Sequence, residues 1–109
     1  ALPISLAASI RYSVDQLPAL TLWRNSAAEV DGYVTALEPG TDYPNGRGFE
    51  RSKGRVVRVP AGATYRTELD YSILVGRDEL DGLRAEVRAI AAGRRPRVSD
   101  RPEPEYCPD

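Results

Sequence analysis

Two stretches of this chain alternate apolar and polar residues almost without a break, and that period decides most of what it can fold into. From Ile4 to Val14, Ile4, Leu6, Ala8, Ile10, Tyr12 and Val14 fall on one side, with Ser5, Ala7, Ser9, Arg11 and Ser13 on the other. From Thr64 to Val75, Tyr65, Thr67, Leu69, Tyr71, Ile73 and Val75 face one way, and Thr64, Arg66, Glu68, Asp70 and Ser72 the other. Successive strand side chains point to opposite faces, so both stretches read as half-buried β-strands. β-formers predict three further strands, over Leu20–Arg24, Tyr33–Glu38 and Arg55–Val59.

The breakers then suggest the connections. Asp15-Gln16-Leu17-Pro18 predicts a hairpin of Ile4–Val14 with Leu20–Arg24, and Pro60-Ala61-Gly62-Ala63 a second of Arg55–Val59 with Thr64–Val75. Pro39-Gly40 ends the middle strand, and Thr41–Gly54 reads as a long loop of the kind that carries function or moves. After Gly76 the period changes to 3.6, with Leu80, Leu83, Val87 and Ile90 on one stripe, Asp78 as N-cap and Gly93 past the end. Gly82 weakens the first turns of that helix. Arg94–Asp109, with four prolines and only Val98 and Tyr106 as sizeable apolar residues, reads as an extended or disordered tail. The expected fold is mainly β: an antiparallel β-sandwich, whole or part of a larger one, with one C-terminal helix.

Composition narrows the function. At 109 residues the chain has room for one domain, and 41% hydrophobic residues can supply a core. Fifteen Lys+Arg against sixteen Asp+Glu leave a net charge of −1, which argues against nucleic acid as partner. No apolar run reaches the ~20 residues of a membrane span. One cysteine, Cys107, allows no internal disulfide and has no visible activating neighbour. There is no histidine, so no Ser-His-Asp or Cys-His arrangement exists within the chain. The chain also lacks Met and starts on strand pattern with no signal-peptide regions. It reads either as a processed small protein or, preferably, as the C-terminal piece of a longer one, with a cytoplasmic location expected.

Few residues are placed for chemistry. Glu38 ends a strand, and Pro39 holds it extended on the face of Val34 and Ala36. Desolvation there raises a carboxyl pKa toward general-base range; in the plainer reading Glu38 is a solvated turn residue. Arg47, Arg51, Lys53 and Arg55 form either a clamp for a hydroxyl, carboxylate or phosphate, or a solvated basic loop balanced by Glu50 and Asp42. Gly46-Arg47-Gly48 lacks the context of a phosphate loop. Trp23 and the tyrosines read as core before they read as a sugar platform.

The run Tyr33-Val34-Thr35-Ala36-Leu37-Glu38-Pro39-Gly40-Thr41-Asp42-Tyr43-Pro44-Asn45 resembles a motif near the C-terminus of aldose 1-epimerases, the galactose mutarotases. Gly54–Gly62 is similar to that family's next strand and turn, and Thr64–Val75 to its penultimate strand. Leu22-Trp23-Arg24-Asn25 with Gly32-Tyr33 looks closest to an uncharacterised aldose-epimerase-like branch. The resemblance covers roughly Leu20 to Ala92. It implies a large antiparallel sandwich, of which residues 1–93 are the C-terminal part and 94–109 the tail. It also implies interconversion of sugar anomers by general acid/base catalysis, with no cofactor and no metal. In that scheme Glu38 is the catalytic base on the anomeric hydroxyl and a histidine elsewhere protonates the ring oxygen; Asn45, at the position of the family's Pro-Asp pair, and Arg47, from the basic cluster, are the candidate substrate-binding residues. Two positions depart from the family: Gly40 stands where it has Gln, and Asn45 where it has Asp.

The partners expected are a small-molecule sugar and the remainder of the chain's own fold, met upstream or by self-association, with no membrane partner. A non-catalytic carbohydrate-binding or interaction module is the rival reading. A lyase or hydrolase would need a second carboxylate across the scissile bond, and no position here supplies one convincingly.

Overall fold

The computed structural model describes residues 5–108. They contain two two-stranded antiparallel sheets and one main helix near the C-terminus, so the β-rich antiparallel expectation holds. Ile4 and Asp109, the outermost residues of the strand and tail read from the sequence, lie outside the described residues. The chain divides into two compact units. One joins the N-terminal residues through Arg11 to Asp70–Arg101; the other joins Tyr12–Leu69 to the residues from Pro102 onward.

In the first unit, β1 (Leu6–Tyr12) pairs with β4 (Leu69–Val75), and α2 (Arg77–Ala91) follows directly. The Gly76 N–H donates to Ser5 O at 2.8 Å, closing the end of the sheet. Gly76, at φ 95°, is the N-cap of α2 in place of the expected Asp78, which lies in the first turn where its charge still suits the helix dipole. Glu79 accepts the Val75 N–H at 2.8 Å, reaching back past the N-cap to tie the end of β4 to the first turn of the helix. The helix ends where expected, with Ala92 (φ 47°) and Gly93 (φ 74°) both left-handed. Leu80, Leu83 and Glu86 form its half-buried stripe, and Arg11 reaches Glu86 at 2.6 Å. Burial does not follow the sequence alternation closely: Leu6, Tyr71 and Ile73 stay exposed, Ile73 at 69%.

In the second unit, β2 (Ala19–Arg24) pairs antiparallel with β3 (Thr35–Gly40), from Ala19 opposite Gly40 to Arg24 opposite Thr35. The connection carries a 3-10 turn at Glu29–Asp31. Asn25 organises it, donating to Gly32 O and accepting from the Ala27 N–H. β3 runs through Pro39 and Gly40 where the sequence predicted a stop. Proline is tolerated because a two-stranded sheet leaves one edge of β3 unpaired. Leu17 and Ala19 are the buried apolar residues, 7% and 4% exposed.

Two expected hairpins do not form. Ile4–Val14 does not pair with Leu20–Arg24, because each takes a more distant partner. The turn between them is closed by the Gln16 and Leu17 N–H groups on Ser13 O, and Leu17 turns inward. Arg55–Val59 is not a strand. Its first N–H is spent on Glu50 O at the end of α1 (Arg47–Ser52), a helix lying inside the expected loop. The β4 strand starts only at Leu69. Before it, the Tyr65 hydroxyl donates to Gln16 O and the Glu68 N–H to the Gln16 side chain, contacts that take the place of a ladder. The turn closed from Ala63 N–H to Pro60 O is present. Among the described residues no helix is long and apolar enough to cross a membrane.

Candidate functional site

The site grows from one buried carboxylate. Glu50, 1% exposed, is the fourth residue of α1 and turns beneath the chain that enters and leaves that helix. Arg55 meets it with a two-pronged contact, Nε to Oε2 at 2.6 Å and Nη2 to Oε1 at 2.9 Å. The Tyr43 N–H donates to Oε2 at 3.3 Å, and Asn45 Nδ2 to Oε1 at 2.7 Å. Forked guanidinium–carboxylate pairs are among the stronger and most directional polar contacts. The Arg55 hydrogen bond, against the opposing effect of burial, pulls the Glu50 carboxyl down to about 2; Asn45 and the Tyr43 amide add to it. The same pairing raises Arg55 above its ordinary value.

This arrangement fixes one wall of a half-open cleft of about 330 Å³, lined by Pro18, Ala19, Thr41, Tyr43, Gly54, Arg55 and Val57. Its volume lies at the small end of the range for ligand sites. The lining offers the Tyr43 ring and the Pro18 and Val57 surfaces as apolar contacts, with the Thr41 hydroxyl beside them. The Arg55 guanidinium lies 5.2 Å from the Tyr43 ring centroid, stacking the wall upon itself. Arg55 also donates twice to Glu105, so its charge is met by two carboxylates and it serves as a rigid surface more than a free cation.

The residues singled out from sequence fall in three different places. Glu38 is exposed on β3, directly opposite Thr21. Paired residues share a face, so Glu38 lies on the same side of the sheet as Ala19 and Gly40, which pair at the cleft end. Two residues along a strand is about 7 Å. Asn45 stands behind the wall with its amide hydrogens given to Glu50 and to Tyr106 O. Arg47 opens α1, exposed and outside the cleft lining. At Gly40 a Cβ would stand 3.2 Å from Asp42 O, so this chain turns too tightly after β3 to accept a side chain there without a shift.

Neither Glu50, which enters the sequence reading only as a counter-charge in the solvated-loop alternative, nor Tyr43 is singled out by the sequence as a site residue. The available signal was weak: one carboxylate within a glycine-flanked basic run, five residues before Arg55. Among the described residues no group of three or more His, Cys, Asp or Glu side chains could hold a metal ion.

No curated protein and no solved structure matches the chain. A family model does match, over residues 3–73, a span that takes in β1, β2, β3, α1 and most of β4. It covers the cleft lining and Glu38 and stops before α2. The chain belongs to the family described as Domain of unknown function (DUF4432).

Proposed function

We propose that the chain is the C-terminal portion of an aldose 1-epimerase-like protein, that its cleft receives a free sugar, and that Glu38 is the general base. The observation that supports this reading is the register: Glu38 shares a face of β2–β3 with Ala19, which lines the cleft, and lies one pleat from Gly40, Ala19's partner; Glu38 itself is beside the cleft and not among its lining residues. It joins the resemblance of Tyr33–Asn45 to the aldose 1-epimerase motif, which lies inside the matched family span. In mechanism, the Glu38 carboxylate takes the proton of the anomeric hydroxyl while an acid protonates the ring oxygen; the ring opens, the C1–C2 bond rotates, and the proton returns on reclosure. The chain has no histidine, so that acid comes from another part of the full fold. Tyr43, Val57 and Pro18 suit the C–H faces of a pyranose, and Thr41 a hydroxyl.

The partner this reading requires is the rest of the sandwich. Leu20, Leu22 and Leu37 lie together on the opposite face of β2–β3, all largely exposed, Leu22 at 58%. An apolar patch of this kind is what a missing layer would cover.

A second reading has its own support. Glu38 is exposed, and among the described residues its carboxylate meets no hydrogen-bond or ion-pair partner, which suits a sugar-binding module without catalysis. An NMR exchange assay on α- and β-D-galactose with the complete protein separates the two. Enzyme-dependent exchange supports the epimerase; binding without exchange supports the module.

A further inference from the structure

We infer that the C-terminal segment Glu103–Cys107 is a strap that positions the binding wall of the cleft. This inference rests on the proposed sugar site for its ligand, and on the contacts of the segment for everything else. The segment is a tight turn, with the Tyr106 and Cys107 N–H groups and the Cys107 thiol all donating to Glu103 O. The turn presents Tyr106 and Glu105 together, and each meets a residue of the wall. The Tyr106 ring packs edge-on to Tyr43, centroids 5.3 Å apart at 72°. The Glu105 carbonyl and carboxylate accept from Arg55 Nη1 at 2.9 and 3.2 Å, and its other oxygen from Lys53 at 3.1 Å. The Tyr106 carbonyl accepts from Asn45 Nδ2 at 2.8 Å.

Tyr43 and Arg55 line the cleft, whereas no residue of the strap does. The strap therefore acts through them. Its contacts with the 43–55 region join residues 50 to 63 positions apart in sequence, so it adds long-range ties to a segment whose other contacts, the six-residue α1 and the Glu50 network, are local. Pre-ordering of a binding wall lowers the entropy lost when a ligand arrives. Tyr106 and Glu105 are thus positioning residues.

The test uses the complete protein as wild type, Tyr106→Ala, Glu105→Gln and the conservative Tyr106→Phe. Amide hydrogen exchange is read at Tyr43 and Arg55, whose N–H groups are bonded to Glu50, and at Asn25, bonded to Val34 away from the strap. Tyr106→Ala and Glu105→Gln should speed exchange at Tyr43 and Arg55 by several-fold to about tenfold, the scale of an aromatic pair or a charged contact. Tyr106→Phe, which keeps the ring edge, should match wild type, and Asn25 should not change. With D-galactose as probe, the two disruptive variants should raise KM and leave kcat in place. Unchanged exchange at Tyr43 and Arg55 in both variants overturns the strap. So does an equal rise at Asn25, which would mean a general loss of structure, or a fall in kcat at constant KM. A wild-type protein that neither binds nor exchanges galactose refutes the sugar reading, while the exchange rates still decide the strap.

Discussion

Replacing Glu50 with Gln removes the charge at the centre of the second unit while keeping the side-chain size. Four N–H groups converge on the two carboxylate oxygens, two on each: Arg55 Nη2 and Asn45 on Oε1, Arg55 Nε and the Tyr43 N–H on Oε2. An amide has one oxygen and one NH2, so either orientation turns a donor toward two donors. Arg55 then keeps Glu105 but loses its buried partner. Breaking a buried ion pair from one side is strongly destabilising, and for a domain of this size the melting temperature should fall by more than about 10 °C at neutral pH. Acid supplies a second arm. The folded carboxyl sits at about 2 against an ordinary value of 4.5. Its stabilisation is therefore complete above its unfolded value and is lost as pH falls toward 2, weakening the folding equilibrium on the order of 10²-fold across that window. Glu50→Gln should erase this part of the acid sensitivity. Thermal melts followed by circular dichroism at pH 7 and pH 3, for both proteins, read both effects. A variant that melts with wild type at pH 7, or that keeps the wild-type acid slope, refutes the reasoning.

Other outcomes follow from single features. Ala92 carries a left-handed φ of 47° at the end of α2, so Ala92→Gly should raise the melting temperature by a few degrees, and no change or a fall would count against it. The exposed Leu22 and Leu37, paired across β2–β3, should make the isolated 109-residue chain associate. Light scattering behind size-exclusion chromatography should show the wild type larger than a monomer and Leu22→Lys/Leu37→Lys closer to one. A wild type that is already monomeric removes the argument for a missing layer. Gly40→Gln should disturb the turn to Asp42 and weaken galactose binding at the cleft; an unchanged Kd would show that the turn yields easily.

Periodicity in the sequence located β1, β4 and α2, because alternation and the 3.6 repeat are properties of a segment by itself. Pairing is not such a property. Ile4–Val14 carries nothing that chooses Leu69–Val75 over the nearer Leu20–Arg24, and the choice rests on contacts spread over the fold. Arg55–Val59 has strand composition, yet Arg55 is claimed at its backbone and its guanidinium by Glu50. Glu50 looked solvated because its neighbours in sequence are charged. The residues that complete its surroundings, Glu105 and Tyr106, come from the far end of the chain, in a proline-rich stretch whose composition resembles a tail. Glu38 is singled out by its surrounding motif alone, through resemblance, whereas the cleft needs Thr41, Tyr43, Gly54, Arg55 and Val57 brought against Pro18 and Ala19, residues far apart in sequence.

The central claim is that Glu38 moves a proton for a sugar held at this cleft, and Glu38→Gln in the complete protein tests it most directly. Saturation transfer between the α- and β-anomer signals of D-galactose gives the rate in one experiment. The account predicts catalysed exchange by wild type and a loss of at least ~10²-fold in the variant, with galactose still bound. A variant exchanging anomers at the wild-type rate would contradict it.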